Sequence, residues 1–536
     1  MVCCLQAFSQ EHELFQDRRQ LLKSAGFSLA MAGTRVQAGQ ESQTQSDERQ
    51  FISLSSRANT ETSDTKRFQR ALNEAQQRGG GTVHVSAGHY VVGSLLLRSN
   101  VSMWLDNGAV LAMSPDPAEF LPLEQLPFDP GANQATSDFH VALLVGDGVE
   151  HVSIYGEGVI ECDRGKKGGG PKPIALRRCT HVTLQNFTIR NAQNYNISML
   201  GCEFVEIRGI RIHAGRADGI DPDCCRHVTI SDCFIESVDD SLCLKASGSL
   251  GQRGATEHVT VTNCILRTAS IHFKCGTESC GDFRNITFSN CVLEGGVGMR
   301  HGNPGIAFYT VDEGDLEGIA VSNITMQNVG TPLAIIRGDR DRCQVGKGPG
   351  VLRAITINNV TAIGAKWPCV IAGLPGAPVQ DIQITGFIVT TQMARKGRLS
   401  PAEVPEAPKA YPAPVMFGEL PAFGMFLRHV ENITLSGVQF YAPQGETRPD
   451  LVVDDVALLR LRGHERRGEA ADVHLLLKDV RDSFVECISV MELPQRAFQV
   501  SGAKTRGLYL QGEGSINWRN HLHVEQDVAK DAVHLK

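Results

Sequence analysis

From residue 151 onward one short unit keeps returning: an apolar-polar-apolar run, then Asn, Asp or Gly, then an apolar residue. It occurs as His181-Val182-Thr183-Leu184-Gln185-Asn186-Phe187 and as Phe204-Val205-Glu206-Ile207-Arg208-Gly209-Ile210. It returns as His227-Val228-Thr229-Ile230-Ser231-Asp232-Cys233, His258-Val259-Thr260-Val261-Thr262-Asn263-Cys264 and Asn285-Ile286-Thr287-Phe288-Ser289-Asn290-Cys291. Later echoes are Val321-Ser322-Asn323-Ile324, Ile357-Asn358-Asn359-Val360 and Leu435-Ser436-Gly437-Val438. Anchored on the last residue, the first spacings are 23, 23, 31 and 27 residues. Period-two alternation specifies strand, and repetition at this length with variable inserts specifies a solenoid. Each unit carries too little apolar surface for a core of its own, so units must stack. The bends fall at Asn and Gly, which tolerate left-handed backbone angles. The expected fold is all-β: a single-domain right-handed parallel β-helix, with an N-terminal capping helix and coils about 4.8 Å apart.

The cysteines follow the repeat. Cys179, Cys202 and Cys225 lie one 23-residue period apart, and Cys233, Cys264 and Cys291 share another repeat position. Ladders of this kind pack as small hydrophobes, so free structural thiols are expected in preference to disulfides or a zinc site. An open end of the stack would expose strand edges. Residues 64–81 supply the cover: Phe68, Leu72 and Ala75 at helical spacing, Asp64 to cap the start, and Gly79-Gly80-Gly81 to end it. The β-helix is expected over 82–515, with a Pro-rich loop insert at 393–421 as a wall of a binding groove, and a C-terminal tail at 516–536.

Ahead of the helix, Asp17-Arg18-Arg19-Gln20-Leu21-Leu22-Lys23 precedes a short apolar run and Val36-Gln37-Ala38. Residues 1–38 therefore resemble a twin-arginine export signal, which implies a periplasmic or secreted protein. Residues 39–63 read as a polar linker. A net charge of −7 gives no support for nucleic-acid binding, and no long apolar stretch predicts a membrane span in the mature chain. A monomer needing no cofactor is expected.

The chemistry rests on Asp239-Asp240, which follow Asp218 by 21 and 22 residues, about one coil. Paired carboxylates with a third acid nearby suit glycosidic cleavage: one protonates the leaving oxygen and another activates water. Counting eight residues past each repeat anchor stacks Asp218, Ser241 and His272. Asp240 and Asp239 then fall one and two positions before the residue over Asp218. Crowding should raise one of the three pKa values enough to retain a proton. Asp221 and Asp223 read as structural, and Tyr195 and Trp104 as packing between coils.

With Gly79-Gly80-Gly81-Thr82-Val83-His84-Val85, Leu105-Asp106-Asn107-Gly108-Ala109 and these acids on the page, most of the chain resembles the polygalacturonase-type pectin hydrolases, glycoside hydrolase family 28. That family's Asn-Thr-Asp corresponds to Arg216-Ala217-Asp218, and its Asp-Asp pair to Asp239-Asp240. The resemblance implies an inverting hydrolase of a pectin-related or other plant or algal polysaccharide. It makes Asp239 the general acid, with Asp218 and Asp240 positioning water. The chain also departs from the pattern. Ile271 stands where the His-Gly motif has its histidine, and alternation pointing Ile271 inward leaves His272 outward as a substitute. Ala307-Phe308-Tyr309 stands where an Arg-Ile-Lys motif would grip a substrate carboxylate. Lys274, Lys245, Arg300 and His301 are the cationic replacements expected to bind substrate. Two other functions fit the same residues: a calcium-dependent polysaccharide lyase, with the clustered acids holding the ion, and a non-catalytic carbohydrate-binding solenoid.

Overall fold

The computed structural model describes residues 51–56, 63–132, 139–162, 169–299, 302–343, 348–395, 399–469, 471–487, 496–512 and 520–535. The export signal lies outside them, as do most of the linker and the candidates Arg300 and His301. From Phe51 onward the strands pair in parallel, each with the equivalent strand one coil later. The repeat units are the buried inner faces of these strands. Val182, Val205, Val228, Val259 and Ile286 pair in one column, and Leu184, Ile207, Ile230, Val261 and Phe288 in another, all at most 2% exposed. The bends occur at the repeat's Asn, Asp and Gly positions, where Asn186, Asp232, Asn263 and Asn290 all have φ between 54° and 68°. A second left-handed position opens each unit, and bulky residues occupy it: His181, Phe204, His227 and His258, with φ of 55–56°. Their rings stack from coil to coil, 4.7–5.0 Å apart. That contact offsets a conformation costly for a bulky side chain.

The helix α1 (Thr65–Gln77) buries Phe68, Ala71, Leu72 and Ala75 over the N-terminal end of the stack, and Gly79, Gly80 and Gly81 end it with φ of 91–135°. The Asp64 side chain makes no capping bond to the helix N–H groups; it pairs with Arg67 at 3.2 Å instead. The solenoid is also longer at both ends than the repeat indicated. Phe51–Leu54, assigned above to the linker, pairs with Gly81–Val85, and Leu522–Val524 and Val533–Leu535, assigned to the tail, add two strands to the far end. These end strands are too short to show the repeat. Trp104 packs between coils as expected, but on the outer face: it is 37% exposed and lies between His84 of the preceding coil (4.7 Å) and Tyr155 of the following one (6.3 Å).

Cys179, Cys202, Cys225, Cys233, Cys264 and Cys291 are free and buried, as the ladder argument requires. They bond along the stack, Cys202 N–H to Cys225 Sγ and Cys264 N–H to Cys291 Sγ, both 3.3 Å. The preference for free thiols fails at one place, a Cys280–Cys343 disulfide that joins two loops outside the repeat. Buried thiols do not reach a reagent. Iodoacetamide should therefore leave all six ladder cysteines unmodified in the native protein and label them after denaturation. Peptide mass mapping checks this, and rapid native labelling would show that the ladder is open.

Candidate active site

Four neighbouring strands carry the site: β1 (Ile197–Leu200), β2 (Ile220–Asp223), β3 (Leu242–Ala246) and β4 (Phe273–Ser279). Ile197, Ile220, Leu242 and Phe273 pair in sequence and point into the core. This register puts Asp218 over Asp240, not over Ser241. The one-residue difference from simple counting has a physical source. Ile212 pairs with Ile235 but Gly215 with Ser237, so the earlier coil holds one extra residue. Such a bulge re-aims the side chains beyond it. Here it brings the two carboxylates level: one oxygen each of Asp218 and Asp240, with Cys243 Sγ, lie within 4.8 Å of one another.

The carboxylates are buried and individually paired. Lys245 Nζ lies 3.1 Å from Asp218 Oδ2 and 3.4 Å from Asp221 Oδ1, over the Tyr195 ring at 3.9 Å from its centre. Lys274 Nζ pairs directly with Asp240 Oδ2, while Asp240 Oδ1 accepts from Ser270 Oγ (2.7 Å) and Ile271 N–H (3.1 Å). Asp239 is half-buried, and its backbone carbonyl accepts from the Ser237 and Thr268 hydroxyls. Asp223 is held by the N–H and hydroxyl of Ser247, a structural role.

These surroundings push the acids apart. Burial, then the neighbouring Asp221 charge, raises the Asp218 carboxyl well above its usual range, with Lys245 only partly opposing. Burial raises Asp221 to about 6, against the same ammonium. Two acids share one cation, so the pair retains a proton near neutrality. Burial would raise Asp240 too, but the Lys274 ammonium and the hydrogen bonds from Lys274, Ser270 and Ile271 hold it below the usual range. Both lysines, whose burial favours the neutral amine, are held charged by these carboxylates.

The structure changes the assignment of several candidates. Lys245 and Lys274 are 2% and 4% exposed, so they neutralise acids and are not free cations for a substrate. His272 does not face outward. It is fully buried, with Nε2 2.8 Å from the Glu294 carbonyl, and burial lowers it to about 4, leaving it neutral. Ile271 packs with Ala307 and Tyr309 in an outer cluster, not in the coil interior. The strand begins only at Phe273, so alternation does not extend back to residues 271 and 272. Asp221, set aside as structural, belongs to the charged cluster. Tyr411, from the insert, also reaches it: its phenol interacts with Lys274 and Asp240 and bonds to Thr277. Nothing local in the sequence marks Tyr411, because it arrives from a loop 137 residues beyond Lys274 in the chain. Among the described residues, the Asn196 Oδ1, Glu278 Oε1 and Tyr309 hydroxyl are buried without a hydrogen-bond partner around this cluster.

The family model for glycosyl hydrolases family 28 matches residues 131–396, which contain every acid above. The chain is a divergent member of family 28. It is similar to a "Probable polygalacturonase" of Vitis vinifera, 25% identical over 371 residues, covering 64% of this chain and 73% of that one. It is also similar to an endo-polygalacturonase of Pectobacterium carotovorum subsp. carotovorum, 25% identical over 300 residues, 51% of this chain and 71% of that one. Among solved structures, the exopolygalacturonase of Thermotoga maritima superposes with a TM-score of 0.54 at 22% identity, over 63% of this chain and 87% of the other. The family 28 exopolygalacturonase of Yersinia enterocolitica gives the same TM-score at 15% identity, over 79% and 78%. At those identities the structural likeness shows the shared fold. The comparisons thus support a polygalacturonase-like glycoside hydrolase of family 28.

Proposed function

We propose that this family 28 chain is an exported, inverting hydrolase of a pectin-related or other plant or algal polysaccharide. The observation that carries the reading is the stacking of Asp218 on Asp240, with their oxygens within 4.8 Å and Asp239 beside them. Inverting enzymes hold acid and base roughly 6.5–9.5 Å apart to admit a water. Asp218 and Asp240 are closer than that, so they act together on one reactant, the water. Asp240 is the member kept ionised, by Lys274. Asp239, the least buried of the three, is left to protonate the leaving oxygen. A calcium-dependent lyase is less well supported: Lys245 and Lys274 already neutralise the carboxylates that would have to hold the ion. The twin-arginine-like segment supports export, and an export assay with Arg18→Lys and Arg19→Lys tests it.

The test of the chemistry is a panel of polygalacturonate, pectin and alginate, with proton NMR of the first anomer released from any polymer that is cut. Inverted product is expected. Retained configuration would transfer a nucleophile's role to Asp218 or Asp240, and products with an unsaturated uronate end would favour the lyase.

A further inference from the structure

We infer that the catalytic face is a short window closed at both ends, so that the protein removes sugars from a chain end and does not cut within the chain. The inference rests on the hydrolase reading above. It comes from one outward-facing column of the sheet. Through the site this column reads Ser198, Asp221, Cys243, Lys274, all polar or ionisable and at most 6% exposed, a polar floor beside the half-buried Asp239. On either side it turns apolar and is covered.

Beyond Lys274 the column continues Ala307, Ala334, Val370, Phe426, Val452 in unbroken register. These residues would face solvent in a bare solenoid, yet all five are fully buried. Val404, Phe417 and Leu420 of the insert, with Ala422 just after it, lie on them as a second hydrophobic cluster. The insert is fastened down. Arg428 donates to the Val404 carbonyl at 2.7 Å and to the Pro401 carbonyl while paired with Asp454. Asp339 N–H donates to the Pro408 carbonyl at 2.8 Å. Tyr411 forms the front edge of this plug, within electrostatic reach of Lys274 and Asp240 and with Arg340 5.5 Å from its ring centre. On the other side, the column's Val145 and Ala175 are buried with Phe139, and Leu121 packs against them. A third side is walled where the Pro130 carbonyl accepts from Gly248 N–H and where Arg342 and the Cys280–Cys343 bridge tie the 338–343 loop to the sheet.

Four coils at 4.7–4.9 Å leave a window of about 14 Å along the solenoid. A polymer lying along the face would have to displace well-packed apolar clusters at both ends, whereas a chain terminus can enter the window.

The experiment tracks viscosity against released reducing ends as the whole protein acts on polygalacturonate, pectin and alginate, with early products sized by chromatography. Monomer or dimer should dominate from the first time point, while viscosity lags behind bond cleavage. A ladder of long fragments with early collapse of viscosity would overturn this inference and leave the hydrolase reading standing. Failure to cut any of the three would overturn both. Tyr411→Ala gives a second readout: Tyr411 is 54% exposed, so the fold tolerates its loss. With the front edge opened, the share of products longer than a dimer should rise severalfold, and an unchanged product length would overturn the role given to the plug.

Discussion

Asp239→Asn abolishes proton donation while leaving the fold intact, and turnover of the cleaved polymer should fall by about 10²–10⁴. That corresponds to about 3–5 kcal/mol of lost transition-state stabilisation. The melting temperature should barely move. Two hydrogen bonds, from the Ser237 and Thr268 hydroxyls, run to its backbone carbonyl, and Asn keeps both that carbonyl and the side-chain shape. The effect should appear in kcat and kcat/KM alike, as for a group that acts only in the transition state. A variant that turns over at the parental rate would remove Asp239 from the mechanism. The contrast is Asp218→Asn, which also strips a partner from buried Lys245 and should therefore lose stability along with activity.

Lys274→Met should be the most damaging single change to stability near the site, at roughly 3–5 kcal/mol, because it leaves the Asp240 carboxylate buried without its counter-ion. The pH dependence has a definite sign. In the parent, Asp240 sits below the unfolded carboxylate value, so it contributes stability above about pH 4 that is lost as pH falls through its folded pKa. In the variant the ammonium is gone, and only the hydrogen bonds from Ser270 and Ile271 still oppose burial. The folded pKa then exceeds the unfolded one, and stability falls as pH rises from about 4 toward 7. Denaturant melts at pH 4 and pH 7 read this directly: the deficit should be larger at pH 7. Adding Asp240→Asn to Lys274→Met should recover most of it by removing the stranded charge. If both melts match the parent, the pair carries no structural weight. Any residual activity of Lys274→Met should also have its acidic limb shifted upward, since Asp240 must be ionised to orient water.

The acids were legible because they obey the repeat. A separation of 21 or 22 residues in a chain whose coils take about 23 places Asp218 and Asp239-Asp240 on adjacent rungs. The core columns and bend positions were legible for the same reason, since Val and Ile alternation and the Asn and Asp bends recur at each coil. The exact stacking was not. It depends on a single extra residue between Ile212 and Gly215, and an irregularity of one residue leaves the hydrophobic pattern on both sides unchanged. His272 was misplaced because alternation was extended past the start of its strand, into a bend where side-chain direction is set by the local turn. Lys245 and Lys274 were found as cations at the right place, but their pairing with acids on neighbouring coils turned them from ligands for substrate into counter-ions.

The amino-acid sequence by itself determined the solenoid, its parallel repeat and the neighbourhood of three acids, because hydrophobic periodicity and bend chemistry are local and every coil restates them. Tertiary structure alone decided which carboxylate is ionised, which cations are consumed, and that the insert's Val404, Phe417 and Leu420 close the face beyond Lys274. Those outcomes depend on the burial and the through-space neighbours of each group, and Lys274, Asp240 and Tyr411 meet only once the coils are stacked and the insert is laid across them.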